Sequence, residues 1–220
     1  MPDPAIGPAS TGHLPAERTL ADHLRRRRRA ALAGHRGDRD EARALLLDDD
    51  PGVRAIALGA LVRLEAISPS ELLAAAADPD AGVRRRAADE AARALLDDAS
   101  VTAALLELLE DDDATVAETA AFALGERPAG DGPVVARLAT MATDHPDALC
   151  REAAVAALGA VGDASGLPAI LAATRDKATV RRRAVIALAP FDGAEVDAAL
   201  ARALEDRDWQ VRQAAEDLTA

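Results

Sequence analysis

Cysteine and long apolar runs are nearly absent from this sequence. None of its 220 residues belongs to an apolar stretch long enough to cross a membrane, and the first residues lack the apolar run of a secretion signal. A cytoplasmic location is therefore expected. Cys150 is the only cysteine, which excludes an internal disulfide.

Aromatic residues are equally scarce. Hydrophobic residues make up 50% of the chain, but only 1% of the chain is aromatic, and alanine supplies much of the rest. Because small side chains bury little area each, stability is expected to come from many modest interfaces.

Positive charge is scarce outside one segment. The formal net charge is −12, and seven arginines against three acidic residues give residues 1–37 a charge of +4, so the remainder carries −12 − 4 = −16. An acidic body argues against general binding to nucleic-acid phosphates, which requires positive charge.

One short pattern recurs along the chain. The copy at residues 176–188, DKATVRRRAVIAL, has an acidic turn, an apolar anchor, an arginine, and small apolar residues four, seven and eight positions after the anchor. The anchors follow one another at intervals of 30, 33, 34, 30 and 31 residues, and they are Val53, Val83, Val116, Cys150, Val180 and Val211. A period in this range is typical of solenoids.

The recurring positions predict paired helices. An anchor and the residues four, seven and eight after it fall on one face of a helix, and a second short apolar helix is predicted between anchors. Each unit is then a helical hairpin that must bury its apolar face on its neighbours. The pattern D-x-x-V-R-x-x-A-x-x-A-L resembles HEAT repeats, in the short form named after phycobilisome (PBS) lyases, over roughly residues 38–220. The resemblance implies an all-α, right-handed α-solenoid of the armadillo/HEAT type with about six helical hairpins.

The N-terminal part precedes the repeats. Residues 1–15 are rich in proline, glycine and serine and are predicted to be disordered. Residues 16–37 are predicted to form an arginine-rich capping helix, with Leu20 and Leu24 in its apolar stripe and Arg25 to Arg29 in solvent. The alternative is that these arginines form an electrostatic arm for an acidic partner or nucleic acid.

Aspartates and arginines recur around the anchors. The third residue before an anchor is usually Asp, which can cap its helix, and the residue after the anchor is usually Arg, which can reach a turn of the neighbouring repeat. We therefore predict a structural ladder of capped helices and ion pairs between repeats. Its members are Asp50, Arg54, Asp80, Arg84, Asp147, Arg151, Arg181, Asp208 and Arg212. Ala117 and Lys177 interrupt the pattern and are its expected weak points.

Other signals mark helix ends. Ser68 and Glu71 fit a capping box, in which each side chain bonds the backbone of the other residue. Gly125, Gly159 and Gly162 fit helix C-termini, where a left-handed residue is favoured.

No catalytic or metal-binding constellation is evident in the sequence. The histidines do not pair at a four-residue spacing and have no neighbouring cysteine, so a zinc site is unsupported. The acidic runs at residues 48–50 and 111–113 lack the glycine of a calcium loop. Cys150 replaces valine at an anchor and is predicted to be buried, where a thiolate is disfavoured. No enzymatic activity, metal or cofactor is therefore predicted.

The remaining surface predicts a binding role. In HEAT-like solenoids the second helices line the concave face, so the resemblance places positions two, five, six and nine after each anchor in a groove. Its candidate partner-binding residues are Leu58, Val62, Arg85, Phe122, Val155, Arg182, Val185 and Ile186. Contiguous exposed apolar area usually marks a binding site, so a protein or peptide partner is predicted. The alternative is that tight curvature buries these residues between adjacent helices.

Trp209 is the last candidate for partner binding. Because it lies two residues before its anchor, it is expected to cover the turn of the preceding hairpin. The alternative is an exposed contact for a partner, since tryptophan is enriched among interface hot spots.

The predicted function is a non-enzymatic scaffold or adaptor for protein–protein interaction. The alternative that the resemblance carries is a subunit of a phycobilin-lyase-like enzyme that modifies a tetrapyrrole. The scarcity of aromatic residues argues against it, because holding such a ligand usually requires aromatic or basic groups on the concave face.

Overall fold

The computed structural model describes residues 15–94, 96, 99–127 and 132–219. Within these ranges the regular structure consists of thirteen α-helices and two 3₁₀ turns, with no strand. The prediction of an all-α repeat solenoid is confirmed. The predicted disordered segment, residues 1–15, lies outside the described residues except for Pro15.

Twelve of the α-helices form six hairpins, each made of a first and a second helix. The first helices are α2 (Arg39–Ala44), α4 (Pro69–Ala76), α6 (Ala99–Leu108), α8 (Gly132–Asp144), α10 (Leu167–Ala173) and α12 (Ala194–Leu204). The second helices carry the anchors and are α3 (Pro51–Arg63), α5 (Ala81–Arg93), α7 (Ala114–Glu126), α9 (Ala148–Val161), α11 (Ala178–Ala187) and α13 (Trp209–Thr219). The 3₁₀ turns at Leu45–Leu47 and Ala164–Gly166 adjoin α2 and α10.

Helix α9 shows why the repeat pattern makes a second helix. The Asp147 side chain caps it by accepting a hydrogen bond from the Leu149 backbone N–H at 2.8 Å. Cys150 and the residues four and eight positions after it, Ala154 and Leu158, are buried. The helix ends at Gly162, whose φ of 68° is the left-handed conformation expected there. Capping, burial and termination thus follow directly from the sequence pattern.

The predicted capping box is also formed. The Ser68 hydroxyl accepts a hydrogen bond from the Glu71 backbone N–H at 3.2 Å, and the Glu71 carboxylate accepts one from the Ser68 backbone N–H at 2.8 Å. This fixes the start of α4 within the second hairpin.

The second helices pack tightly on one another along the stack. A side chain added at Gly159 would lie 2.7 Å from the Cβ of Ala187, and one at Gly125 would lie 2.8 Å from the Cα of Ala157. The prediction that these two glycines end helices is wrong, because both lie inside helices, where α7 meets α9 and α9 meets α11. They allow a backbone approach that a Cβ would block.

Helix α1 (Pro15–Arg36) packs on α3. The expected apolar stripe is wrong, since Leu20 and Leu24 are 61% and 56% exposed and the buried positions are instead Ala30 and Ala33. The contact with α3 therefore uses small side chains, as the contacts between second helices do.

The expectation that the arginines of α1 lie free in solvent is wrong for most of them. Arg26 pairs with Asp48 at 3.1 Å and also with Asp49, and Arg27 Nη2 lies 2.9 Å from Asp50 Oδ1. Arg29 pairs with Glu41 and Arg25 with Asp22. Most of the arginine cluster is thus bound to the chain itself, which argues against a free electrostatic arm.

Candidate functional site

Three clefts open on the side of the stack formed by α1 and the second helices. Neighbouring second helices pack more extensively on one another than neighbouring first helices do. The clefts have volumes of about 580, 710 and 320 Å³ and follow one another from α1 to α13. We call them the N-terminal, central and C-terminal clefts, and together they form the groove.

The charged residues of the N-terminal cleft are mainly basic. Arg63, Arg85 and Arg86 line it together with His35 and Asp89. Arg63 Nη1 lies 3.5 Å from His35 Nε2, and Arg86 Nη2 lies 2.5 Å from the carboxylate of the buried Glu90. Arg86 is therefore held by its own helix, whereas Arg85 is exposed.

The central cleft combines exposed apolar side chains with acidic ones. Phe122 of α7 and Leu149 of α9 are 51% and 56% exposed, and both line the cleft. Glu118 and Glu126 lie on either side of Phe122 along α7 and line the same cleft. The central cleft therefore presents both exposed apolar surface and negative charge.

The C-terminal cleft contains the single tryptophan. Trp209 is 64% exposed and lines the cleft with Arg182, Ile186, Asp217 and Leu218. The expectation that Trp209 covers the preceding turn is therefore wrong, and the alternative of an exposed side chain holds. A large exposed ring in a cleft is a common feature of interface hot spots.

The structure divides the candidate binding residues into two groups. Those that line the clefts are Arg85, Phe122, Arg182, Ile186 and Trp209. For three candidates at the fifth position after an anchor the alternative of burial between adjacent helices holds, and these are Leu58, Val155 and Val185. That position points about 140° from the anchor, toward the adjacent second helix, and close packing buries it there. Val62, nine positions after its anchor, is half-buried and does not line a described cleft.

Sequence reasoning placed Glu118 in the groove, two positions after its anchor, but missed three other side chains that line it. Leu149 directly precedes its anchor, where the other units have Gly, Thr or Gln, and this substitution was the available signal. Glu126 was recognisable from its position four residues after Phe122 on the same helix. Leu218 lies seven positions after Val211, where the repeat pattern predicts a buried residue, but in α13 it is exposed and lines the C-terminal cleft.

Four of the arginines that follow an anchor join neighbouring repeats, as predicted, and each pairs with an aspartate in the turn of the next repeat. Arg84 donates hydrogen bonds from Nε and Nη2 to the two carboxylate oxygens of Asp111 at 2.7 and 2.9 Å, and from Nη1 to the backbone oxygen of Asp78 at 2.9 Å. One guanidinium thus joins its own turn to the turn of the next repeat. The same two-pronged contact, at 2.6–2.9 Å, forms in the pairs Arg54–Asp78, Arg151–Asp176 and Arg181–Asp206.

The aspartates three residues before the anchors cap their helices, as predicted. Their carboxylates accept hydrogen bonds from backbone N–H groups of the first turn, and they are Asp50, Asp80, Asp147 and Asp208. In three of the four repeat contacts the ion-pair partner lies two residues before the cap of the next helix, as Asp206 lies before Asp208. The Asp206 carboxylate also accepts a hydrogen bond from the Asp208 backbone N–H at 2.8 Å, so it serves both neighbours.

The two expected weak points of the ladder differ in kind. Ala117 lacks the arginine, and the facing turn of the next unit has His145 in place of the aspartate, so both partners of this rung are missing together. The His145 Nδ1 still accepts the hydrogen bond of the Asp147 backbone N–H at 3.1 Å. Lys177 makes no side-chain cap to α11, but the preceding Asp176 supplies the ion pair to Arg151.

The last arginine has the ladder geometry without a carboxylate partner among the described residues. Arg212 donates from Nη1 to the backbone oxygen of Asp206 at 2.7 Å, as the other arginines do to their own turns. A comparison of Arg212 with the other ladder arginines therefore isolates the contribution of the carboxylate partner to stability.

The ion pairs shift the pKa values of their carboxyl groups. Hydrogen bonds from Arg84, Arg151 and Arg181 lower the pKa values of their partner aspartates, and burial opposes the shift without cancelling it. These carboxyl groups are Asp111, Asp176 and Asp206. The ladder therefore holds its carboxylates in the charged form.

Cys150 is buried at its anchor, and its thiol contacts the backbone oxygen of Ala114 at 3.2 Å. Burial raises the pKa of this thiol to about 11, with a further contribution from the charge of Asp147. Within the described ranges, no three His, Cys, Asp or Glu side chains are grouped so that they could hold a metal. No described helix is both long and apolar enough to span a membrane.

The repeats of this chain match a known protein family. The model of the family described as HEAT repeats matches residues 69–159 and 135–219, which together span 151 of the 220 residues. The chain belongs to the HEAT-repeat family. No curated protein matches it.

Solved structures share the fold of this HEAT-repeat protein. The complex of CpcE and CpcF of phycocyanin lyase from Nostoc sp. PCC7120 is similar with a TM-score of 0.59 at 22% identity, over 97% of this chain and 79% of that chain. A designed armadillo repeat protein in complex with the peptide (KR)4 is similar with a TM-score of 0.60 at 16% identity, over 80% of this chain and 95% of that chain. An engineered protein is similar with a TM-score of 0.59 at 22% identity, over 82% of this chain and 96% of that chain. At these identities the likeness shows the fold alone.

Proposed function

We propose that this HEAT-repeat protein is a non-enzymatic scaffold that binds a polypeptide along the groove. The observation that supports this best is where the exposed large apolar side chains lie. Of nine such side chains in the described part of the chain, five line the central or C-terminal cleft. They are Phe122, Leu149, Ile186, Trp209 and Leu218. Such a concentration on one face is typical of a protein-binding surface.

The ladder residues have a structural role that accounts for their recurrence. These aspartates and arginines are engaged in caps and ion pairs, so their regular spacing is explained by stability and requires no substrate. The designed armadillo protein that shares the fold was solved with a peptide bound, which shows that a solenoid of this type can present a peptide-binding face.

The test compares two double variants in affinity capture from native lysate. Phe122→Asp with Ile186→Asp places charge in two clefts at positions that are already exposed, so the fold should be retained. Leu47→Asp with Leu204→Asp is the matched control, since both leucines are exposed and line none of the three clefts. Both variants should keep the helical circular dichroism of the wild type.

The proposal predicts that a polypeptide retained at high salt by the wild type and the control is lost by the groove variant. Equal capture by a folded groove variant would contradict it. Loss by the control alone would place the binding surface on the side of the first helices.

The alternative, a subunit of a tetrapyrrole-modifying enzyme, rests on fold likeness to the CpcE and CpcF complex. Its test is independent of the first. Visible absorbance that remains with the protein through purification, and that is lost in the groove variant, would favour this alternative over a scaffold.

A further inference from the structure

The central cleft runs lengthwise between α7 and α9. On the α9 side it is lined by Leu149, Ala153, Ala156 and Ala160, which follow one another every three or four residues along almost the whole helix. The cleft volume is about 710 Å³. Because most of these side chains are small, the cleft above the contact between the two helices can hold a single segment of chain parallel to them.

The α7 side of this cleft carries a regular row of three side chains. Glu118, Phe122 and Glu126 lie four residues apart and all line the cleft. Neither glutamate forms an ion pair with another described residue. The row therefore presents an exposed ring between two carboxylates that the chain itself does not neutralise.

The other acidic residues of the cleft lie close to arginines of the chain. Asp89 pairs with Arg93 and lies 3.9 Å from Arg86, and Glu152 lies 3.5 Å from Arg183. Arg85, on α5, faces the cleft without a carboxylate partner among the described residues, so it disfavours a cation at that edge. Unbalanced negative charge is thus confined to the row on α7.

The spacing of the row matches that of an extended peptide. Four residues of an α-helix rise about 6 Å, and alternate residues of an extended chain lie about 6.6 Å apart with side chains on the same face. Three successive same-face side chains of such a chain can therefore meet Glu118, Phe122 and Glu126 in turn. Opposite charges would be paired at the two ends and apolar surface would be buried in the middle.

We propose that the central cleft binds an extended segment with the pattern basic-x-apolar-x-basic, lying along α7. This inference rests on the proposed function and specifies the chemistry of the polypeptide. The net charge of −12 favours the approach of a basic segment, and the row on α7 fixes its register.

The test uses short synthetic peptides and the whole protein, with binding measured by fluorescence anisotropy at low and moderate salt. The probe has the core Arg-Ser-Leu-Ser-Arg. Two further peptides replace both arginines by glutamine or by glutamate. A fourth has the core Arg-Arg-Ser-Leu-Ser, which keeps the composition and changes the register.

Two protein variants separate the site from general attraction. Glu118→Gln with Glu126→Gln removes the charges of the row. Glu107→Gln with Glu195→Gln removes the same charge from exposed positions on the first helices α6 and α12. We expect the probe to bind about tenfold more tightly than its glutamine and register-shifted counterparts, a difference that corresponds to about 1.4 kcal/mol. The row variant should lose that preference and the control should keep it.

Three results would overturn the inference, and they affect the proposed function differently. If all four peptides bind alike and Phe122→Asp abolishes their binding, the groove binds polypeptide without this specificity. If the control variant loses as much affinity as the row variant, the preference is a property of the overall charge. If no peptide binds, and capture in the lysate is also unaffected by the groove variant, both proposals fail.

Discussion

The contribution of the ladder to stability can be predicted from one substitution and its internal control. Arg84→Met keeps most of the aliphatic stem and removes the guanidinium that joins Asp111 to the turn at Asp78. The Arg84 and Asp111 side chains are only 20% and 7% exposed. Removal of arginine therefore leaves a largely buried carboxylate without its counter-charge.

The expected magnitude follows from this burial. Removing one partner of a fully buried pair costs about 3–5 kcal/mol, whereas an exposed pair contributes about 0–1 kcal/mol. Because Arg84 retains partial exposure, we expect Arg84→Met to lower the free energy of unfolding by about 2–3 kcal/mol. Arg212→Met removes the same kind of bond to a backbone oxygen but no ion pair with a described residue, so we expect a loss of about 1 kcal/mol.

The assay is urea unfolding followed by circular dichroism, with linear extrapolation to water for each variant. Asp111→Asn should relieve part of the loss in an Arg84→Met background, because the amide oxygen can still accept the hydrogen bond of the Asp113 backbone N–H. Equal losses for Arg84→Met and Arg212→Met would refute the reasoning, because they would show that the carboxylate contact contributes nothing beyond the turn.

Three further predictions follow from the packing and the pKa shifts. The pKa values of Asp111 and Asp206 are lowered in the folded protein, so near the ordinary aspartate pKa of about 3.9 the unfolded chain binds more protons than the folded one. The urea midpoint should therefore fall as the pH drops through that region. The fall should be less steep in Arg84→Met, which lacks the ion pair with Asp111. A pH-independent midpoint there would contradict the ladder assignment. Gly159→Ala should lower the free energy of unfolding by about 1–3 kcal/mol despite alanine's higher helix propensity, because the new Cβ would clash with Ala187. A gain in stability in the same unfolding assay would contradict this, because it would show that the two helices can move apart. Cys150 should resist alkylation at neutral pH in the native protein and react in urea, since burial raises its pKa to about 11; rapid native labelling, followed by mass spectrometry, would contradict its burial.

The helices and their caps were predictable because their causes are local. Cys150 occupies an anchor position, and Asp147 lies three residues before it. These two positions specify one buried face and one helix cap, and neither depends on the arrangement of the neighbouring repeats. The same holds for the capping box of Ser68 and Glu71.

Contacts between repeats were predicted less well, because they depend on how closely neighbouring helices approach. Val155 and Val185 lie opposite the anchors on an isolated helix, yet the adjacent second helix covers them. Gly125 has the sequence context of a helix end, and only the distance between α7 and α9 shows that it is a contact residue. Predicting that Asp111 is the ion-pair partner of Arg84 requires the position of one turn relative to the next, and the sequence of a single repeat does not contain that information.

The groove itself was predicted in part. Phe122 and Ile186 were identifiable by position, whereas Leu149 depends on an exception to the pattern at one anchor. Trp209 was assigned to a turn because it lies two residues before its anchor, but its side chain is exposed and lines the C-terminal cleft.

The central claim, that this HEAT-repeat protein binds a polypeptide in its groove, is tested most directly by site-specific photo-crosslinking. A photoreactive amino acid is placed at Phe122, in the central cleft, or at Leu47, which is 88% exposed and lies outside the described clefts. The account predicts a discrete crosslinked polypeptide in native lysate from the Phe122 position and none from Leu47. Crosslinking from Leu47 alone, or the same products from both positions, would contradict it.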